Sequence, residues 1–377
     1  MHNTAAMRVV AAVLLVVLAL GCGAAPSGDD AGPALEGDAG SRDPDSGPAT
    51  TDAGAADARD AGDAAPKGDV PFPALDADFP DPFVLRVGAT YHAYATNVGV
   101  LGGHLHVAHA KSSDLAKWSA RDDAMPALGS WAEDSMFTWA PGVLEVNGGF
   151  VLFYAAKKKG TAPQGQTGEQ CVGRATSSKP EGPFVDGFGA PLICNPQGYW
   201  AIDPSPYHAK NGKDYLLWRQ DTPGNPAVNH VWIQELAASG TGLVGGPVDL
   251  LARSAAWENP VLENPSMLEI GGKVLLFYSA NDWASAGYGV GYAECASVTG
   301  PCTKVTTQGP WFGSIFAIAG PGGQDFFTDT NGDRWMSYHA WVAPKVGYAS
   351  GGARVLALAR IGLDAQQRPQ LQKATLP

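Results

Sequence analysis

Basic residues are in deficit in this 377-residue chain: 25 Lys and Arg stand against 37 Asp and Glu, a net charge of −12. That sign argues against a nucleic-acid partner, which needs a basic face. Cysteine is scarce, with five in all, and no CxxC or HxxxH spacing accompanies them. They therefore point to no zinc site, and no metal ligand is assigned. The absence of a G-x-S-x-G elbow disfavours a serine peptidase. Long helical periodicity is missing, and the apolar run Val9–Leu20 is too short to span a bilayer as a helix. Residues 23–70 have no aromatics and almost no large apolar side chains, so burial cannot offset the entropy of ordering them.

What is present divides the chain in three. In residues 1–22, Arg8 precedes the apolar run, which ends in Ala19-Leu20-Gly21-Cys22. This pattern resembles a bacterial lipoprotein cleavage box, with Cys22 as the lipidated N-terminus. An ordinary secretory peptide cut nearby and an uncut anchor are the alternatives. Each predicts export, and the first predicts a membrane attachment made only through lipid. Residues 23–70 read as a flexible acidic tether, whose ten Asp and one Glu against Arg42, Arg59 and Lys67 give −8. Residues 71–377 turn rich in Trp, Tyr, Phe and Gly, enough for one large β domain. In an oxidising compartment its four cysteines predict two bridges. Three connectivities exist; pairing neighbours, Cys171–Cys194 and Cys295–Cys302, closes loops inside single structural units.

Five segments of this region share one pattern. They begin DPFVLRVG at Asp81, APGVLEVN at Ala140, DPSPYHAK at Asp203, NPSMLEIG at Asn264 and GQDFFTDT at Gly323. Pro82, Pro141, Pro204 and Pro265 are spaced 59, 63 and 61 residues apart, and Gln324 takes the same place 59 further on. Each unit reads as two strands joined at an Asn-Gly or Gly-Gly turn, followed by further short strands. The prediction is an all-β, five-bladed propeller with four-stranded blades; a β-sandwich or barrel is the alternative. In a propeller the starts of the innermost strands line one axial channel, so equivalent positions converge.

That register separates two glutamates in ENPVLENPSML. Pro265 lies 13 residues before Tyr278, as Pro141 lies 13 before Tyr154, whereas Pro260 lies 18 before Tyr278. Glu263 is therefore aimed at the axis. Glu258 is expected on the approach to blade four, as a partly exposed loop carboxylate with no role. Asp81 and Asp203 join Glu263 at the channel mouth. Clustered carboxylates in a partly desolvated pocket drive their pKa values apart, which suits acid–base cleavage of a glycosidic bond. A single Asp-Pro is more often only a turn opener.

DFPDPFVL, AIDPSPYHAKNGKDYLLWR, LENPSMLEIGGKVLLFYSAN and GPGGQDFFTDTNGDRWMSYHAW together resemble glycoside hydrolase family 43, over residues 76–371. The resemblance implies inverting hydrolysis of α-L-arabinofuranosyl or β-D-xylosyl linkages in plant oligo- or polysaccharides, without a cofactor for the chemistry. It casts Asp81 as general base, Glu263 as general acid and Asp203 as the residue that raises and orients the acid; Asp78 precedes the motif and does not match. Three departures stand out. Asn264 replaces the usual Gly or Ala after the acid and is a candidate sugar contact. Gly142 replaces a frequent Asp and is expected to alter a subsite. Gly323 replaces a frequent metal-holding His, which weakens the case for a structural calcium. His339 and Trp139 are further candidates for the sugar site, with core packing as their alternative. A monomer is expected. A surface carbohydrate-binding propeller without catalysis is the competing function. A β-fructofuranosidase-type enzyme is disfavoured, since its Asp-Pro-Asn-Gly-like and Arg-Asp-Pro motifs are absent and no Pro follows Ala293-Glu294-Cys295.

Overall fold

The computed structural model describes residues 70–163, 166–194, 199–221 and 229–372; Cys22 and the tether lie outside them. The residue before each register position has left-handed backbone. The φ values are 50° at Asp81, 43° at Ala140, 55° at Asp203, 48° at Asn264 and 60° at Gly323. A left-handed L-residue costs roughly 1–2 kcal/mol, so four non-glycine instances in one register mark a built feature. In blades two to five the strand pairing slips at this point: between Trp139 and Gly142, Ile202 and Ser205, Glu263 and Ser266, and twice between Ala319 and Asp325. The bulge re-aims the chain and turns these residues toward the axis.

The innermost strands are Phe83–Val87, Thr138–Val146, Trp200–His208, Leu262–Ile270 and Ile318–Thr328. Each touches the next, and the fifth touches the first, closing a ring. Each strand pairs antiparallel with its successor in chain order, as β-branched and aromatic hairpins do. Blade five takes Arg334–Val342 and Arg354–Leu363, then gains Leu75–Asp78 from the other end of the domain, paired Leu75 to Leu356. That exchange fastens the ring, and the repeat pattern gave no sign of it. Blade two has three full strands; beyond the third, its fourth is reduced to two isolated bridges, Thr176 to Val185 and Val172 to Ile193, and Pro180 and Pro183 at the turn cannot donate to a ladder. No α-helix occurs among the described residues, and none of their helices is long and apolar enough to cross a membrane.

The core lies between blades. Tyr154, Phe277 and Tyr278 are wholly buried, and Phe277 meets Phe326 of blade five at 4.8 Å. Each such ring contributes about 1.5–3 kcal/mol by burial. Both bridges form as neighbour pairs, Cys171–Cys194 and Cys295–Cys302. Gly142 corrects an expectation. A Cβ there would strike Pro206 of blade three and come within 3.0 Å of the Pro204 carbonyl. Its residue type answers to the contact between blades two and three.

Glu258 is a second correction. It ends a one-turn helix, Ala256–Glu258, and is fully buried. Its carboxylate accepts hydrogen bonds from the backbone of Ser254 (2.7 Å) and Ala255 (2.9 Å), and from Tyr278 Oη (2.9 Å). Lys304 Nζ completes the set at 2.7 Å. A charge can be buried when it is paired and its lone pairs are used. The expectation of exposure overlooked Lys304, which arrives from the outer strand of the same blade.

Candidate active site

Asp81, Asp203 and Glu263 meet at the floor of a cavity of about 630 Å³ at one mouth of the axial channel. Trp139, Asn264 and Asp78 line it too. The three carboxylates have different surroundings. Thr96 Oγ1 donates to Asp81 at 2.6 Å, Arg354 Nη1 stands 3.8 Å away, and the Asp81 backbone N–H donates to His339 Nδ1 at 3.0 Å. Burial pushes the Asp81 carboxyl up, but Arg354, His339 and Thr96 together outweigh it and hold it far below the usual carboxylate range. Asp81 is therefore held ionised.

Asp203 and Glu263 go the other way. Burial first, then the Glu263 charge, raise Asp203 to about 7 against the pull of Arg219. Burial also raises Glu263, with Arg219 and Tyr288 opposing. Arg219 is itself buried. It pairs with Glu263 and with Asp221, and its Nη1 lies 4.0 Å from Asp203. Tyr288 Oη donates to Glu263 at 2.7 Å. Two acids sharing one arginine in a desolvated site hold a proton between them near neutrality. One carboxyl kept ionised and a coupled pair kept partly protonated is the combination that acid–base cleavage requires.

Asn264 ties the three together. Its backbone N–H donates to Asp203 (3.0 Å), its Nδ2 to Asp81 (3.4 Å), and its Oδ1 accepts from Tyr288 (3.0 Å). With most of its amide committed to protein, it acts on the carboxylates first and offers a sugar at most one N–H. His339 differs more from expectation: it is fully buried behind Asp81 and stacks on Tyr288 at 5.8 Å and 3°. It fixes the Asp81 backbone and presents no surface to the cavity. Trp139 is partly exposed in the cavity wall, 5.9 Å from Trp200 and edge-on to Phe137. Opposite, Arg354 lies over Trp283 at 4.7 Å, and Asp78 accepts from Tyr348 Oη (3.1 Å) and the Arg354 backbone (3.0 Å).

A calcium on the axis would need six to eight oxygens at 2.3–2.6 Å. The small axial cavity beside the carboxylates, about 30 Å³, is lined by four prolines and by the side-chain oxygens of Asp81, Asp203, Ser205, Asn264, Gln324 and Asp325, of which Asp81, Asp203, Asn264, Gln324 and Asp325 already accept hydrogen bonds from the protein. Burial pushes Asp325 up to about 7, and Ser205 donates to it at 2.9 Å. No three acids or histidines there bring ligand atoms within 4.8 Å of one another among the described residues. At Gly323 a Cβ would lie 2.5 Å from His339 Nδ1 and 2.9 Å from Asp81 Oδ1, so a side chain would displace both. These residues do not build a calcium cage.

Arg219, Tyr288, Thr96 and Arg354 were not singled out from the sequence. Arg219 is the last residue of the second signature, AIDPSPYHAKNGKDYLLWR, two residues before Asp221, and that pairing of an arginine with an acid on one strand face was the signal available.

Comparison with known proteins agrees with this geometry. A β-D-galactofuranosidase, xynD, of Aspergillus niger is 27% identical over 169 residues, 45% of this chain and 46% of that protein. The chain thus matches about half the length of this curated relative. An endo-1,4-β-xylanase structure from Bacteroides thetaiotaomicron superposes with a TM-score of 0.63 at 26% identity, covering 80% of this chain and 96% of that one. A thermostable family-43 glycoside hydrolase gives 0.66 at 24%, covering 79% and 93%; at that identity it speaks for the fold. The profile of glycosyl hydrolases family 43 matches residues 71–368, nearly the whole propeller, and the chain belongs to that family.

Proposed function

We propose that this glycosidase hydrolyses α-L-arabinofuranosyl or β-D-xylosyl linkages with inversion. The observation that carries the reading is the split among three buried carboxylates, Asp81 held ionised while Asp203 and Glu263 are raised. Glu263 gives its proton to the glycosidic oxygen as the bond to the anomeric carbon breaks. Asp81 takes a proton from a water whose oxygen bonds that carbon from the opposite face. Asp203 keeps the proton on Glu263 through like-charge repulsion. Trp139 offers an aromatic face to a sugar ring. The enzyme is proposed to be exported and tethered through lipid on Cys22, facing oligo- or polysaccharide outside the cytoplasm as a monomer.

The test is a panel of p-nitrophenyl α-L-arabinofuranoside, β-D-xyloside and β-D-galactofuranoside with debranched arabinan, followed by NMR of the first-formed anomer. Turnover of the arabinoside or xyloside with inverted product supports the proposal. Retained configuration refutes the mechanism, and preference for the galactofuranoside refutes the substrate class. Binding without cleavage returns the protein to a carbohydrate-binding role.

A further inference from the structure

A second cluster of chemistry-bearing side chains lies away from the three carboxylates. In HLHVAH, His104 lies on the strand Gly103–Leu105 and His106 on the bend that follows it, and the turn of the chain there brings the two imidazoles together. The rings meet edge-on, 4.7 Å between centroids. Asp134 comes from the segment leading into blade two. Its Oδ1 lies 2.9 Å from His106 Nε2 and 3.6 Å from His104 Nε2. The three ligand atoms all lie within 4.8 Å of one another. Ligands at roughly 2.0–2.1 Å around a tetrahedral zinc are about 3.4 Å apart, close to this spacing.

We propose that His104, His106 and Asp134 bind a divalent transition-metal ion of the zinc type. Two imidazoles and one carboxylate suit zinc and its neighbours better than calcium or magnesium. Two further observations point to a ligand. His104 Nε2 is buried and has no hydrogen-bond partner. His106, only 6% exposed, is backed by a carboxylate on its other nitrogen: Asp123 Oδ2 faces Nδ1 at 3.4 Å. Asp123 is in turn fixed by the backbone N–H groups of His106 (2.9 Å), Val107 (3.1 Å) and Met125 (3.0 Å). Like His104 Nε2, His106 Nδ1 is buried without a hydrogen-bond partner, and the carboxylate facing it is placed to take that N–H once Nε2 is turned to a metal. The Asp134 side chain is 78% exposed, which gives the ion a way in and leaves a coordination position to water. The competing occupant is a proton on His106, held between Asp123 and Asp134.

The ion would join two chain segments of one wall of the catalytic cavity. His104 belongs to the hairpin Val98–Val100 and Gly103–Leu105, which brings Val98 and Gly99 to the cavity; Asp134 leads to Met136 and Trp139 on the same wall.

The test uses the full chain, treated with chelator, desalted and titrated with Zn²⁺ by calorimetry beside His104→Ala and Asp134→Asn, singly and combined. These partly exposed positions are chosen because His106→Ala risks unfolding. One equivalent should bind at micromolar affinity or better, and the double variant should bind at least about 100-fold more weakly. A hundredfold excess over the dissociation constant should raise Tm by about 4 °C in the parent and not in the double variant. No binding at 1 mM Zn²⁺ (roughly the weakest affinity worth calling a site), or equal binding and equal Tm shift in the double variant, overturns the proposal. The first outcome assigns the cluster to a protonated His106 ion pair, the second places zinc elsewhere.

Discussion

The doubled Glu-Asn-Pro offers two substitutions of one chemistry with opposite expected phenotypes. Glu258→Gln removes the charge facing buried Lys304, which is within 2.7 Å, and spoils a site that receives two backbone N–H groups and the Tyr278 hydroxyl. Breaking a buried ion pair from one side costs about 3–5 kcal/mol. A folded region of roughly 300 residues has an unfolding entropy near 0.6 kcal/mol/K, so Tm should fall by about 5–8 °C. The residue is out of the cavity, so kcat of the protein still folded should change less than about twofold. Glu263→Gln removes the proposed proton donor and should lower kcat by about 10²–10⁴. Arg219 keeps Asp221 as its ion-pair partner and Asp203 at 4.0 Å, so no buried charge is left unpaired and Tm should stay within about 2 °C. Differential scanning fluorimetry and initial rates on one active substrate measure both. A Glu258→Gln enzyme with parental Tm and a hundredfold loss of kcat would refute the register argument. So would a Glu263→Gln enzyme that turns over normally.

The alkaline limb of kcat/KM should report loss of the proton shared by Asp203 and Glu263, so activity is present below about 7 and falls above it. Asp203→Asn removes a negative neighbour and should move that limb to lower pH, while Arg219→Met removes the buried cation and should move it higher; shifts of the same sign in both would contradict the electrostatic assignment. Asn264→Gly keeps the left-handed backbone and the N–H to Asp203 but loses the links to Asp81 and Tyr288. It should lower kcat by about tenfold with KM little changed, the size of one or two lost hydrogen bonds, and an unchanged kcat would remove Asn264 from the site. His92 accounts for an acid sensitivity. Burial and the neighbouring His109 depress it to about 4, so it is neutral when folded but protonates below about 6.5 once unfolded. Stability should therefore decline as pH falls from about 6.5 to 4, by up to about 1.4 kcal/mol per pH unit, and a Tm flat over that range would show that His92 is solvated.

How far the sequence could be read depended on whether a residue had a place in the repeat. Asp81, Asp203 and Glu263 could be found because each stands at or beside the residue before a register position, and the left-handed turn there is what aims them inward. The backbone fixes those positions, and prolines mark them in four blades. Arg219, Tyr288 and Arg354 have no such marker. They stand on second and third strands or just before one, and reach the axis by side-chain length, which no spacing rule encodes. His339 was visible as a candidate, but its role turned on Gly323: without a Cβ there, the imidazole can lie against Asp81. Glu258 fails for a related reason, since its burial depends on Lys304, 46 residues later in the chain.

The same contrast explains why Asn264 carries more weight than a departure from a motif implies. A glycine would satisfy the left-handed turn at no steric cost, so a non-glycine residue there has to be offset by contacts. Asn is among the few L-residues that tolerate this backbone, and here its amide reaches both Asp81 and the tyrosine that holds Glu263. One residue thus couples the orientation of ionised Asp81 to that of Glu263. If that coupling is real, Asn264→Gly should also loosen the link between the two titrations. The acid limb, governed by Asp81, should move independently of the alkaline limb when Thr96→Val is added. Parallel movement of both limbs in the double variant would mean that the coupling runs through Arg219 and the cavity's field, and that Asn264 only fills space.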